Sequence, residues 1–303
     1  MHSRPVGAVT RGTTNANRLR RQDRWLAGPQ AWRLRRSEGP PVVVDLGYGA
    51  SPTTAVELHT RLRAVRRDVR TIGIEIEPNR VEMGRRLLAR TPLEGLSFAR
   101  GGFEVPLPGG ERPVIVRAAN VLRQYDESEV AGAWAHVLER LAPGGLLLDG
   151  TCDELGRRST WVALEASGPV SLTLSYRLAG LADPADIAPR LVKALIHRNV
   201  PGERIHDYLA ALSHHWTLSA PLAPHGARQR FIATARAMRA SGWPLLDDVH
   251  RWRLGEITVA QVLRRLWRIA GPIRSMTELL EAAGVFVVVD DFLDEIVVEL
   301  RRL

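Results

Sequence analysis

Lysine is almost absent from this chain: Lys193 is the only one in 303 residues. Cysteine is equally scarce, with Cys152 alone. No disulfide framework can form within the chain, and a reducing compartment fits. No apolar run is long enough to cross a bilayer. The basic N-terminus has no apolar segment behind it, so no secretory signal is read. The expectation is a soluble cytoplasmic protein that does not enter a membrane. Disorder is excluded too, because 45% of the residues are hydrophobic and 25% are charged. The length suits one large domain, or one domain with an appendage.

The net charge of +9 is carried almost wholly by arginine, as coding from a GC-rich genome would produce. It is also local. Met1–Pro40 holds nine arginines against Asp23 and Glu38, a surplus of +7 that leaves +2 for the rest. An arm of this kind can touch phosphates. The other reading is a lead-in helix, "NRLRRQDRWLAG", with Leu19, Trp25 and Leu26 packed inward.

After the arm, strands alternate with helices. "PPVVVDLG" reads as a buried parallel strand. "SPTTAVELHTRLRAV" reads as a helix opened at Ser51–Pro52, and "RTIGIEIEP" as a second strand. A helix opened by Pro78–Asn79 leads to a weak third strand, "LSFARGGF", and a fourth, "RPVIVRAANVL". In "DESEVAGAWAHVLERLAPGG", Asp126 is the expected N-cap and Glu129 its capping-box partner. "LLLDGTCDE" is the fifth strand. The alternation indicates a parallel sheet covered on both faces. Further on come a strand–turn–strand segment from Ser159, helices broken at Val200–Pro201–Gly202, and a last strand in "HRWRLGEITVA".

The stretch "VVVDLGYGASP" is the one that suggests a ligand. Gly47 and Gly49 allow a tight turn and a close approach to bare backbone. The helix start beyond them offers unpaired N–H groups, and such a loop lies where doubly wound sheets bind ligands. A dinucleotide site wants a third glycine where this chain has Pro52. Asp45 would also repel a pyrophosphate. A ligand bearing positive charge fits better.

With those residues in view, the stretch resembles motif I of the class I S-adenosylmethionine-dependent methyltransferases, of an actinobacterial type. Glu75, at the end of "GIEIEP", is similar to the acid these enzymes place on the ribose hydroxyls, and a carboxylate accepts two hydrogen bonds from a cis-diol. "LERLAPGGLLLDG" resembles their helix, turn and fifth strand. The resemblance spans roughly 41–150, and more loosely reaches strands near Val170–Tyr176 and Trp252–Val259. It implies a doubly wound, mostly parallel seven-stranded sheet. It also implies S-adenosylmethionine as cofactor, held by Asp45, Gly47, Tyr48, Gly49, Glu75, Ile76, Gly102, Phe103 and Asn120. Where the family has an Asp for the adenine amino group, this chain has Gly102–Phe103, with Glu104 next. Phe103 supplies a stacking face instead.

The acceptor side is thinner. Candidate bases are Tyr125, Cys152, Asp153 and Glu154, with a second cluster around His197, Arg198, Asn199 and His206. Tyr125, His197 and His206 stand as catalytic candidates. His214, His215 and His225 lack the partners zinc requires, so no metal is expected. The domain reading is a basic helical arm over 1–40, a methyltransferase domain over 41–260 with a lid or substrate insertion at about 180–225, and a small α+β appendage over 261–303. The appendage faintly resembles the leading segment of repressor-cleaving zinc peptidases without their HExxH. Its strands near Val287–Val289 and Ile296–Val298 offer an edge for a homodimer. The expected activity is methyl transfer to a small-molecule or unknown acceptor. The alternative is a nucleic-acid-binding module on the same fold.

Overall fold

The computed structural model describes residues 4–12 and 14–260. The expected C-terminal appendage and its dimer edge lie outside the described residues.

Eight strands form one sheet in the order β3-β2-β1-β4-β5-β6-β7-β8. They are β1 (Val42–Leu46), β2 (Arg70–Glu75), β3 (Leu96–Arg100), β4 (Ile115–Ala119), β5 (Leu146–Cys152), β6 (Arg158–Glu165), β7 (Gly168–Tyr176) and β8 (Glu256–Ala260). The first five pair in parallel. The 3-2-1-4-5 half is Rossmann-like, as the alternation of strands and helices implies.

The seven-stranded, mostly parallel sheet is corrected at its far edge. There, β6, β7 and β8 join antiparallel. For β6 and β7 the cause is connection length. Only Ala166 and Ser167 separate β6 from β7, and two residues can close a hairpin but never a parallel crossover. The strand expected near Trp252–Val259 is also shorter. Val249–Trp252 is a helical turn, capped by the Asp248 carboxylate on the His250 N–H at 2.8 Å. Gly255 then reverses the chain at φ +77°.

Helices cover both faces. Along β1 the side chains alternate. Val42, Val44 and Leu46 join the core shared with α5 (Glu127–Arg140), α7 (Arg204–Leu218) and α8 (Ala227–Ala240). Val43 points the other way. It packs with Leu58 and Leu62 of α3 (Thr53–Arg63), and with Trp25 and Leu26 of α1 (Arg20–Ala27). The inward-packed lead-in helix is therefore what the structure contains: Leu19, Trp25 and Leu26 are all buried. The Asp126–Glu129 capping box starts α5 as its spacing predicts. The expected insertion from about 180 is helical, and its Ile187, Leu195, Tyr208, Leu212 and Trp216 are part of the main core.

Asp149 sits inside this packing on β5. It is 2% exposed, with the Trp134 Nε1–H donating to it at 3.1 Å. Burial pushes its carboxyl up to about 7. A raised folded-state value means that stability is full at low pH and falls as pH rises toward 7. We expect Asp149→Asn, which keeps an acceptor for Trp134, to raise Tm by a few degrees at pH 8. The gain should shrink toward pH 4; about 1 kcal/mol moves Tm by roughly 2–4 °C at this size. Thermal melts of both proteins across pH check it, and a gain independent of pH would refute it.

Candidate functional site

The carboxyl ends of β1, β2, β4 and β5 converge on the loop after β1. Gly47 and Gly49 take φ +66° and +88°, a region open mainly to glycine. The Gly47 N–H donates to the Ile74 carbonyl at 2.7 Å, which ties the loop to β2. Glu75 closes the arrangement. Its carboxylate accepts from the Gly49 N–H at 3.0 Å and the Ile76 N–H at 2.9 Å, with Arg80 at 3.4 Å. The acid expected at the tip of β2 is thus buried and aimed at the glycine loop. Tyr48 turns the other way. Its ring packs edge-on against Phe98 and its hydroxyl donates to the Arg80 carbonyl, so it presents only backbone to the loop.

Asp45 lines the cavity beside the glycine loop, and it meets a cation within the chain. It stands opposite Arg117 in the β1–β4 register, and both side chains face α1 and α3. Arg117 Nε and Nη2 reach the two Asp45 carboxylate oxygens at 3.0 and 2.7 Å, and the Thr54 hydroxyl donates to one of them at 3.1 Å. Arg117 also pairs with Asp23 of α1, which pairs in turn with Arg61. The Arg117, Asp23 and Asp45 side chains are essentially unexposed. Burial pushes the Asp23 carboxyl up to about 6, against the pull of both arginines. Asp45 is therefore already neutralised from behind. Sequence reading missed Arg117 and Asp23, although a charge in the middle of "PVIVRAA" was the available signal.

The larger surprise is what covers the loop. Residues 6–12 run as a strap across the tips of β1, β2 and β3. The Val6 N–H donates to Glu104 Oε2 at 2.8 Å, and the Val6 carbonyl accepts from the Phe103 N–H at 2.9 Å. The Ala8 N–H donates to the Tyr125 hydroxyl at 2.5 Å. Arg80 donates to the Thr10 carbonyl at 2.8 Å, and the Ala50 N–H to that of Gly12 at 3.0 Å. The strap fits only because of a glycine. A Cβ on Gly102 would stand 1.9 Å from the Val6 carbonyl oxygen. Beneath it a void of only about 10 Å³ remains among Gly47, Glu75, Ile76, Gly102, Phe103 and Tyr125.

A second cavity of about 370 Å³ opens beside the strap, lined among others by Gly47, Gly49, Asn120, Cys152 and Glu154. Asn120 takes φ +59°, and its amide clamps β5 through the Cys152 N–H at 3.0 Å and Sγ at 3.3 Å. Of the catalytic candidates, Tyr125 faces the strap, and burial raises its hydroxyl above the ordinary value. His197 and His206 line neither cavity. The Asp153 carboxylate is taken by the N–H groups of Leu155, Arg157 and Arg158. Among the described residues no three His, Cys, Asp or Glu side chains gather as metal ligands would. Several arm arginines turn inward: Arg18 to the Asp153 carbonyl, Arg21 to the Gly156 carbonyl and Arg33 to Glu165. Arg4, Arg11, Arg20, Arg24, Arg35 and Arg36 of the arm stay exposed, and the nucleic-acid reading gains no support from the site.

No family model and no curated protein matches this chain. Solved structures do, over part of it. An O-methyltransferase from neocarzinostatin biosynthesis, solved with S-adenosyl-L-homocysteine and 1,4-dihydroxy-2-naphthoic acid, is 18% identical, with 43% of this chain and 38% of that one covered at a TM-score of 0.31. An N-methyltransferase from Bradyrhizobium japonicum is 17% identical over 45% and 68%, at 0.30. A magnesium protoporphyrin IX methyltransferase from Synechocystis, solved with bound S-adenosylmethionine, is 15% identical over 44% and 59%, at 0.32. The chain thus spans about two fifths of the first of these proteins.

Arg117→Met should expose how much the site leans on the buried cluster. Removing it strands Asp23 and Asp45 without their shared cation, which costs about 3–5 kcal/mol. Denaturant unfolding measures the loss, and a change under about 1 kcal/mol would contradict the assignment.

Proposed function

We propose that this chain is an S-adenosylmethionine-dependent methyltransferase whose N-terminal strap stands in for the adenosine half of the cofactor. One observation carries the reading. The Val6 peptide places an N–H on Glu104 and a carbonyl on the Phe103 N–H. That is the donor and acceptor pair which the 6-amino group and N1 of adenine would offer the same two partners. Glu75, Ile76, Gly102 and Phe103 surround that place, and the open backbone at Gly102 is occupied by the strap's carbonyl.

The residues fit the cofactor in this half. Glu75 would take the ribose hydroxyls, since a buried carboxylate facing the glycine loop is the acceptor pair a cis-diol needs. Ile76 and Phe103 would flank the base, and Gly47 and Gly49 would let the chain approach bare backbone. Asn120, at the end of β4, lines the adjoining cavity and would edge the reacting end. Asp45 holds the loop through Arg117 and also lines the adjoining cavity.

When bound, the group supplies a methyl carried on a sulfonium. The chain's part in transfer is to position an acceptor in line with it and keep water out. The 370 Å³ cavity is the space that the cofactor's remaining half and the acceptor would share. Loading requires residues 6–10 to leave the groove, so the strap and the cofactor compete. The cytoplasm is the proposed setting, consistent with a single buried cysteine, and a homodimer belongs to the same proposal.

Calorimetric titration with S-adenosyl-L-homocysteine tests the reading on the full chain and on a chain truncated at residue 10. Binding is expected in both, tighter by at least about tenfold in the truncation, as a competing contact of ~1.4 kcal/mol requires. Glu75→Gln in the truncated chain should lose ~1.5–3 kcal/mol, with melting confirming that the variant folds. Absence of binding to the truncated, folded chain overturns the proposal.

A further inference from the structure

The 370 Å³ cavity beside the strap holds an excess of positive charge that the cofactor reading does not use. Three arginines from remote segments converge there: Arg18 from the lead-in to α1, Arg123 from the turn after β4, and Arg190 from the turn after β7. Arg11 of the strap joins them and would leave with it. Two carboxylates line the same space. Asp45 is spent on Arg117. Glu154 reaches Arg190 only at 3.5 Å, with its side chain 64% exposed, so solvent screens the pair.

Arg123 decides the matter. Its guanidinium is half-buried and held by the neutral Pro189 carbonyl at 3.1 Å. Among the described residues no carboxylate lies within ion-pair distance of it. Burial and the like charge of Arg190 both pull its pKa down. Two guanidiniums lining one cavity, with only the exposed Glu154 carboxylate to offset them, repel one another, and an incoming anion relieves that repulsion. The planar forks suit an oxyanion with two or three equivalent oxygens.

We propose that Arg123 and Arg190 bind an acidic group of the methyl acceptor, a carboxylate or a phosphate monoester. This rests on the methyltransferase reading for the word acceptor, but not for the anion site itself. The group would sit at the β4–β5 end of the cavity and hold the acceptor's nucleophile toward Asn120 and the glycine loop. The acceptor would be small, because the cofactor's remaining half shares the same 370 Å³.

The test uses the full chain at low ionic strength with two probes, benzoate and phenyl phosphate, titrated by calorimetry with and without saturating S-adenosyl-L-homocysteine. Binding of one probe is expected, and which one it is names the acid. Arg123→Ala and Arg190→Ala should each weaken it by about tenfold or more, and Arg123→Lys by less, since the point charge remains without the fork. S-adenosyl-L-homocysteine affinity should stay within about twofold of wild type in all three, a change of only ~0.4 kcal/mol. If its affinity falls with that of the probe, the arginines serve the cofactor's own carboxylate and the proposal is overturned. If neither probe binds while the nucleoside does, the anion site is refuted and the methyltransferase reading stands. If a probe binds through both arginines and the nucleoside never does, the anion site stands and the methyltransferase reading falls.

Discussion

A single buried guanidinium organises this molecule. Arg117 lies at the centre of the sheet, fully removed from water, with a carboxylate from β1 and another from α1 closed upon it. An arginine in such a place is tolerated only when its charge and its N–H groups are met. Meeting them fixes much else. Asp45 registers β1 against β4, and Thr54 brings in the start of α3. Asp23 draws α1 onto the sheet, and Trp25 and Leu26 follow it into the core. The glycine loop begins two residues beyond Asp45, so the position of that loop depends on the cluster beneath it.

The loop in turn explains the strap. Backbone N–H and C=O groups at the tips of β1, β2 and β3 need partners, and the glycines leave room for a chain to supply them. Residues 6–12 do so with their own peptide groups. An extended segment offers alternating donors and acceptors, which is also what the edge of a purine offers. On the proposed reading a groove suited to one would accept the other, and the local concentration of a tethered segment would let it compete without tight contacts. Such a cover keeps apolar walls such as Phe103 and Ile76 from water whenever the groove holds nothing else.

Much of the parallel half was legible in the sequence. Short β-branched runs, capping residues and glycine turns are local signals, and each of β1 to β5 carried one. The far edge was less legible because strand count there turns on a two-residue hairpin. The site divided the same way. Glu75 and the Gly47–Gly49 loop lie close together along the strand–loop–helix unit, and they were found. The partner of Asp45 comes from 72 residues away, and the strap meets Phe103 across nearly a hundred. Pairings at that range leave no periodicity to read. His197 and His206 were read from a cluster in the insertion, and they line neither of the two cavities at the strand tips.

Amide hydrogen exchange on the intact chain, with and without S-adenosyl-L-homocysteine, tests the central claim most directly. The account predicts that the ligand strips protection from Val6, Ala8 and their neighbours while protection rises at Gly49 and Phe103. Unchanged or increased protection of the strap on ligand binding would contradict it.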